Sequence, residues 1–165
     1  MRTLPDPGFA GDDGSVSTEV REALDSYAGD PARWHARTLQ VLQGARLLVP
    51  VVAVLGEVEY DDQGLAHDKT SDMATVLLTG KDGRSALLAF TGQETLTRWD
   101  PAARPVPVPA GRAAEAAVQD GASALVVDVA GPVPFVVGVE DLRALAQGLV
   151  LVALSEGYGW VTPDR

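Results

Sequence analysis

The stretch Ser71 to Trp99, SDMATVLLTGKDGRSALLAFTGQETLTRW, constrains the fold more than any other part of the chain. Two apolar runs, Met73 to Thr79 and Ser85 to Phe90, flank Gly80-Lys81-Asp82-Gly83. An Asp-Gly step between apolar runs signals a hairpin, because Gly supplies the positive φ that a tight turn needs. Both runs are nearly continuous in apolar residues, which predicts strands covered on both faces. Thr91-Gly92-Gln93-Glu94 fits a capping box. In that motif the Thr91 hydroxyl accepts a first-turn N–H, and Glu94 reaches back to the Thr91 N–H. Leu96 and Trp99 then share one helix face. Pro101 ends the helix, since its ring keeps Asp100 out of the α region.

Upstream, residues 1–16 are rich in Pro, Gly and Asp and read as an N-terminal arm. Asp12-Asp13 lacks the further oxygen ligands of a calcium loop and reads as a solvated turn. Ser17 or Thr18 caps a first helix with Val20, Leu24 and Tyr27 on its inner face. Asp30-Pro31 opens a second helix, with Trp34, Thr38, Val41 and Leu42 turned inward. Arg46 to Leu55 is a strand, and Pro50 predicts an edge, a bulge or a strand end within it. Asp61 to Asp72 is a polar break before the central hairpin.

Downstream, Pro101 to Pro109 is extended, and its PVPVP run reads as a connecting edge strand in preference to a ligand offered to a partner. Ala110 to Asp120 is an Ala-rich helix, Ser123 to Val129 a strand, Phe135 to Val137 a short strand, and Val139 to Gln147 a helix. The tail, residues 149–165, is open between an added strand and an irregular apolar segment. The fold class is α+β (mixed α/β), with a single central sheet of about five strands and helices packed against it. Residues 17–148 form one domain, between the arm and the tail.

The chain has 165 residues and no cysteine, which excludes disulfides, thiolate zinc sites and thiol catalysis. With 13 basic and 23 acidic residues, the net charge of −10 argues against broad nucleic-acid binding and against anionic membrane surfaces. No apolar leader segment opens the chain and no run is long enough to span a bilayer, so a cytoplasmic location is expected.

Three segments together resemble the SseB-type family, whose N-terminal domain is named after enhanced serine sensitivity in bacteria. ARLLVPVVAV is similar to the family's Val-Pro strand. The Ser71 to Trp99 stretch is similar to its hairpin, Phe-Thr step, short helix and Trp. GASALVVDVAGPVPFVV, followed by LRALAQG, completes the match. The opening LPDPGFAGDDG resembles the actinobacterial single-domain members in particular. Many members have an Asn-Pro step after the strand matched by Ala124 to Val127, where this sequence has Asp128-Val129. The resemblance supplies no catalytic motif, and so no catalytic, cofactor-binding or metal-ligating residue is assigned.

The densest polar cluster is His67, Asp68, Lys69, Ser71 and Asp72. With Thr91 at the far end of the hairpin it forms the candidate surface site. A His beside carboxylates and a Ser is the raw material of general-base chemistry, but no nucleophile elbow occurs. LTGKDGRS lacks phosphate-loop spacing. His35 reads as a helix-surface residue, and two His without Cys do not make a typical zinc site. No cofactor is expected. The expected function is a non-enzymatic protein-interaction or regulatory module with a protein partner. The alternative is a sensor of an amino acid or related metabolite, and a hydrolase on the His67–Asp72 loop is the remaining reading.

Overall fold

The computed structural model describes residue 9 and residues 11–55, 58–60, 66–68 and 71–164. Helices α1 (Thr18–Gly29) and α2 (Pro31–Gln43) form an antiparallel pair. Ser17 caps α1 by accepting the Val20 N–H, and Asp30 caps α2 by accepting the Arg33 N–H, each over 3.3 Å. Thr38 is buried between them and donates to the Ala23 carbonyl at 3.2 Å. The strands that follow are β1 (Arg46–Leu55), β2 (Val58–Tyr60), β3 (Ala66–Asp68), β4 (Ser71–Thr75), β5 (Leu77–Thr79) and β6 (Ser85–Ala89). Then come α3 (Gln93–Trp99), β7 (Arg104–Pro109), α4 (Ala110–Gln119), β8 (Ala124–Val127), β9 (Phe135–Val137), α5 (Val139–Ala146), β10 (Val150–Ala153) and β11 (Tyr158–Val161).

The architecture is α+β, but the expected single five-stranded sheet is not what forms. Among the described residues the two larger sheets are β4-β1-β7 and β5-β6-β8-β9, with β2-β3 and β10-β11 as separate hairpins. The larger sheets meet at one antiparallel bridge, Leu48 to Phe90. There the Leu48 N–H donates to the Phe90 carbonyl at 2.7 Å, and the Phe90 N–H donates back at 2.8 Å.

Pro50 explains the division. Backbone groups alternate sides along a strand. Since Leu48 points toward β6, residue 50 points the same way, and a proline there has no N–H to continue the ladder. Beyond it, β1 pairs with β4 from Val51 onward. Pro50 therefore sits inside a central strand, not at the edge, bulge or strand end expected from sequence. It is tolerated because its missing donor faces the gap between two neighbours. The opposite side of β1 pairs with β7, with Pro50 opposite Pro105. Pro105, Pro107 and Pro109 turn their missing donors away from β1, so β7 is an edge by construction.

The central hairpin forms as β5 and β6, with Leu77 opposite Leu87 and Thr79 opposite Ser85. Gly83 has φ of 81° in its turn, and Asp82 Oδ1 accepts the Arg84 N–H at 3.0 Å. The Met73–Thr79 run is two strands, because the chain changes sheets at Val76, whose carbonyl accepts the Leu88 N–H. β6 and the residue after it are covered on both faces: Leu87, Leu88, Ala89 and Phe90 are fully buried. By contrast β5 is exposed along its whole length.

Leu87 and Ala89 face a core shared with Leu125, Val127, Phe135 and Val137 and roofed by α1, α2, α4 and α5. In α4, Ala110, Ala113, Ala114 and Ala117 are buried, small enough to bring the helix close to the strands. Leu88 and Phe90 face a second core with Leu48, Leu96 and Ala103, against which Trp99 packs. His35 is half-buried, not a plain surface residue. It stacks on Phe135 with centroids 4.8 Å apart, and its Nε2 lies 3.3 Å from the Val136 carbonyl, covering the open edge of β9.

The tail supplies an added hairpin. Gln43 clasps Leu151, donating to its carbonyl at 2.8 Å and accepting its N–H at 2.7 Å. The Trp160 indole N–H donates to Asp141 Oδ1 at 3.1 Å.

Candidate functional site

Strands β6 and β8 run parallel, with Ala89 beside Val127. Their carboxyl ends therefore emerge together, and in open sheets such ends are where ligand crevices form. Asp128 leaves β8 with φ of 56°, a left-handed conformation that Asp tolerates better than most residues. Its N–H still donates to the Ala89 carbonyl at 3.0 Å, which holds it beside the end of β6. The carboxylate then turns toward the segment that follows β6. Asp128 Oδ1 accepts the Thr91 N–H at 2.8 Å and the Thr95 hydroxyl at 2.8 Å, and Oδ2 accepts the Thr91 hydroxyl at 2.7 Å.

This geometry corrects the capping box. Thr91 does not cap α3. The N-cap is Gly92, which has no side chain to donate or accept, and the Thr91 hydroxyl is committed to Asp128. Glycine at 92 is explained by space, since φ there is an ordinary extended −162°. A Cβ would stand 3.0 Å from the Val16 nitrogen and 3.1 Å from the Gly14 carbonyl oxygen. The N-terminal segment thus lies directly on the start of α3, where the Gln93 N–H donates to the Gly14 carbonyl at 2.6 Å.

Arg46, at the start of β1, fastens that segment. Its Nε and Nη2 grip the Asp12 carboxylate at 2.7 and 2.8 Å. Nη2 also donates to the Ser15 carbonyl at 2.9 Å, and Nη1 to the Thr91 carbonyl at 2.8 Å. Asp12 is accordingly no plain solvated turn. The Gly14 N–H, and then Arg46, hold its carboxyl below the ordinary range despite partial burial. Replacing Arg46 by Met should keep the stem and lose the fork. The expected cost is about 1–3 kcal/mol in urea unfolding, since hydrogen bonds to charged groups are involved. Faster hydrogen exchange at the Gln93 amide should accompany it, and unchanged exchange there would refute the clamp.

Between the fastened segment, α1, the start of α3 and the turn after β8 lies a cavity of about 440 Å³, within the range of small-ligand sites. Val16, Leu24, Pro132 and Val133 form its apolar wall, and Thr91, Thr95 and Asp128 lie at its deep end. Asp13, Asp25 and Glu94 add carboxylates and Arg21 a cation. Asp128 is 2% exposed. Burial pushes its carboxyl above the ordinary value of 3.8, while the hydrogen bonds from Thr91 and Thr95 oppose that rise. Three neutral donors use three of the roughly four acceptor positions of a carboxylate, which leaves one on Oδ2.

Of the six residues in the sequence-derived candidate site, Thr91 lines this cavity. His67 and Asp68 lie on β3, Ser71 and Asp72 lie on β4, and Lys69 falls outside the described residues. Sequence reasoning missed Thr95 and the role of Asp128. The available signal was an Asp placed directly after the apolar run ALVV, where a charge needs a built environment. Among the described residues, no group of three or more His, Asp or Glu is placed to hold a metal ion, and no helix is long and apolar enough to cross a membrane.

The fold and pocket define a small α+β module with a buried carboxylate at the ends of two parallel strands. Residues 20–144 match the family model of the SseB protein N-terminal domain, and the chain belongs to that family. Searches of the curated proteins and of the solved structures return no match.

Proposed function

We propose that the chain is a non-enzymatic, cytoplasmic regulatory module that senses a small metabolite in the cavity between the N-terminal segment and the turn after β8. The observation that supports this reading is Asp128, a carboxylate buried at the deep end of a ligand-sized cavity and held by Thr91 and Thr95. Fixed polar groups at the end of an apolar-walled cleft orient a ligand, and the rest of the lining excludes water from it. Asp128 meets hydroxyls and a backbone N–H, which suits binding better than acid–base turnover.

A protein partner is also part of this proposal. On the outer face of β5-β6-β8-β9, Leu78 and Val136 are 42% and 47% exposed and border a shallow groove with Ala86, Ala124 and Val126. An exposed apolar sheet face supports an interaction surface. A sensor needs such an output, so the two features fit one module.

The test is a thermal-shift screen of amino acids, amines, organic acids and nucleotides, followed by calorimetry. A ligand at 100 times its Kd should stabilise the fold by about 2.7 kcal/mol. Binding should be lost when Val133 is enlarged to Trp to fill the cavity. A library that leaves the melting temperature unmoved throughout would sink the sensing reading.

A further inference from the structure

The ligand class follows from the charge at the pocket's end, and this step rests on the small-ligand reading above. We propose that the cavity takes a compact organic cation, such as a primary amine, whose N–H donates to Asp128 Oδ2.

Buried carboxylates are normally met by a cation or a metal, because neutral donors alone do not replace the water that burial removes. Asp128 is buried, and its three donors are all neutral: one amide N–H and two hydroxyls. One acceptor position stays open on Oδ2, and the residue lines the cavity. An ammonium group supplies the charge that Thr91 and Thr95 do not. Farther out, Asp13, Asp25 and Glu94 outnumber Arg21 around the same cavity, which favours a cation over an anion. The apolar wall of Val16, Leu24, Pro132 and Val133 covers a short carbon chain. Asp128 thus sets the position of the charged end and the wall limits the length.

The experiment compares matched probes by calorimetry: 1,4-diaminobutane and ethanolamine as cations, 1,4-butanediol as a neutral counterpart, and succinate as an anion. The amines should bind the wild-type chain saturably, and the diol and succinate should not. Asp128→Asn should weaken amine binding about 10- to 100-fold, the range expected for a charged hydrogen bond. Asp25→Asn, on the exposed side of α1, should weaken it about 2- to 5-fold, the range of an exposed charge contact. Unchanged amine binding by that variant would count against the cation assignment, which gives a second reading if the Asp128 variant folds poorly. Amine addition should also move the amide resonances of Thr91, Gly92 and Thr95. Binding of succinate or the diol in place of the amines would overturn the cation assignment while leaving the sensing function standing. Undiminished amine binding by Asp128→Asn would overturn it as well. Failure of these probes and of every compound in the wider screen would remove the sensing function itself.

Discussion

Asp128→Ala is expected to lower the stability of the fold by about 2–4 kcal/mol. The Thr91 N–H and the hydroxyls of Thr91 and Thr95 would lose their acceptor in a buried place, and alanine tolerates the left-handed backbone poorly. Asp128→Asn should behave in the opposite way. Its side-chain oxygen still accepts from Thr91 and Thr95, its amide donates to the Thr91 hydroxyl, and asparagine also tolerates φ near 56°. The pH dependence separates charge from shape. Burial raises the Asp128 carboxyl above its ordinary 3.8, so the folded state holds this proton more tightly than the unfolded chain. The resulting stability is fully present below the unfolded value and is lost as pH rises through the folded one. Asparagine carries no such loss. The Asn variant should therefore match the wild type in acid and gain on it as pH rises toward neutrality. Asp12 and Asp13 have lowered values and work in the other sense, losing stability as pH falls. They are common to both chains and cancel from the difference. Urea unfolding across this range is the measurement. An Asn variant as weak as the Ala variant, or a difference independent of pH, would contradict the assignment.

That contrast shows what a sequence reading reaches. Ser17, Asp30-Pro31, Asp82-Gly83 and Pro101 act through their own neighbours, and each cap, turn or stop was legible from spacing alone. The failures are all non-local. Thr91-x-x-Glu94 satisfies the capping-box pattern, but the Thr91 hydroxyl has one proton and a buried carboxylate 37 positions away competes for it. Neutral backbone caps lose to a charge-assisted bond in low dielectric. Pro50 announced an interrupted ladder, but not which neighbours stand on either side of the interruption. The strand pairing that answers this is long-range. His35 looked exposed because its helix periodicity says nothing of β9, a hundred residues on, whose Phe135 ring and Val136 carbonyl it covers. The pocket needed three such facts at once. The parallel pairing of β6 and β8, the Arg46 clamp and the glycine at 92 each depend on a partner distant in sequence. The Asp61 to Asp72 segment is dense in functional groups along the chain, whereas the cavity collects its groups across it.

Phe90→Ala carries the largest expected loss, about 3–5 kcal/mol, the usual cost of a buried Phe truncation. Phe90 is 0% exposed and its ring lies 5.6 Å from that of Trp99. The backbone bridge to Leu48 survives the substitution, because both of its bonds are main-chain. What disappears is the centre of the second core, on which Leu48, Leu88, Leu96 and Ala103 converge. The consequence extends to the pocket. At seven residues, α3 is too short to stand without tertiary support. Leu96 and Trp99 provide that support by packing on Phe90, while the neighbouring Thr95 reaches Asp128 from the same helix. A void at position 90 should loosen α3 and pull Thr95 from the carboxylate, so stability and ligand affinity should fall together. Leu78→Ala is the matched control. It truncates an exposed residue of the same hairpin and should change stability by no more than about 0.5 kcal/mol. Urea unfolding with calorimetry on both variants, and hydrogen exchange across α3, gives the answer. A Phe90→Ala protein that unfolds like the Leu78 control would mean that the second core does not support the pocket.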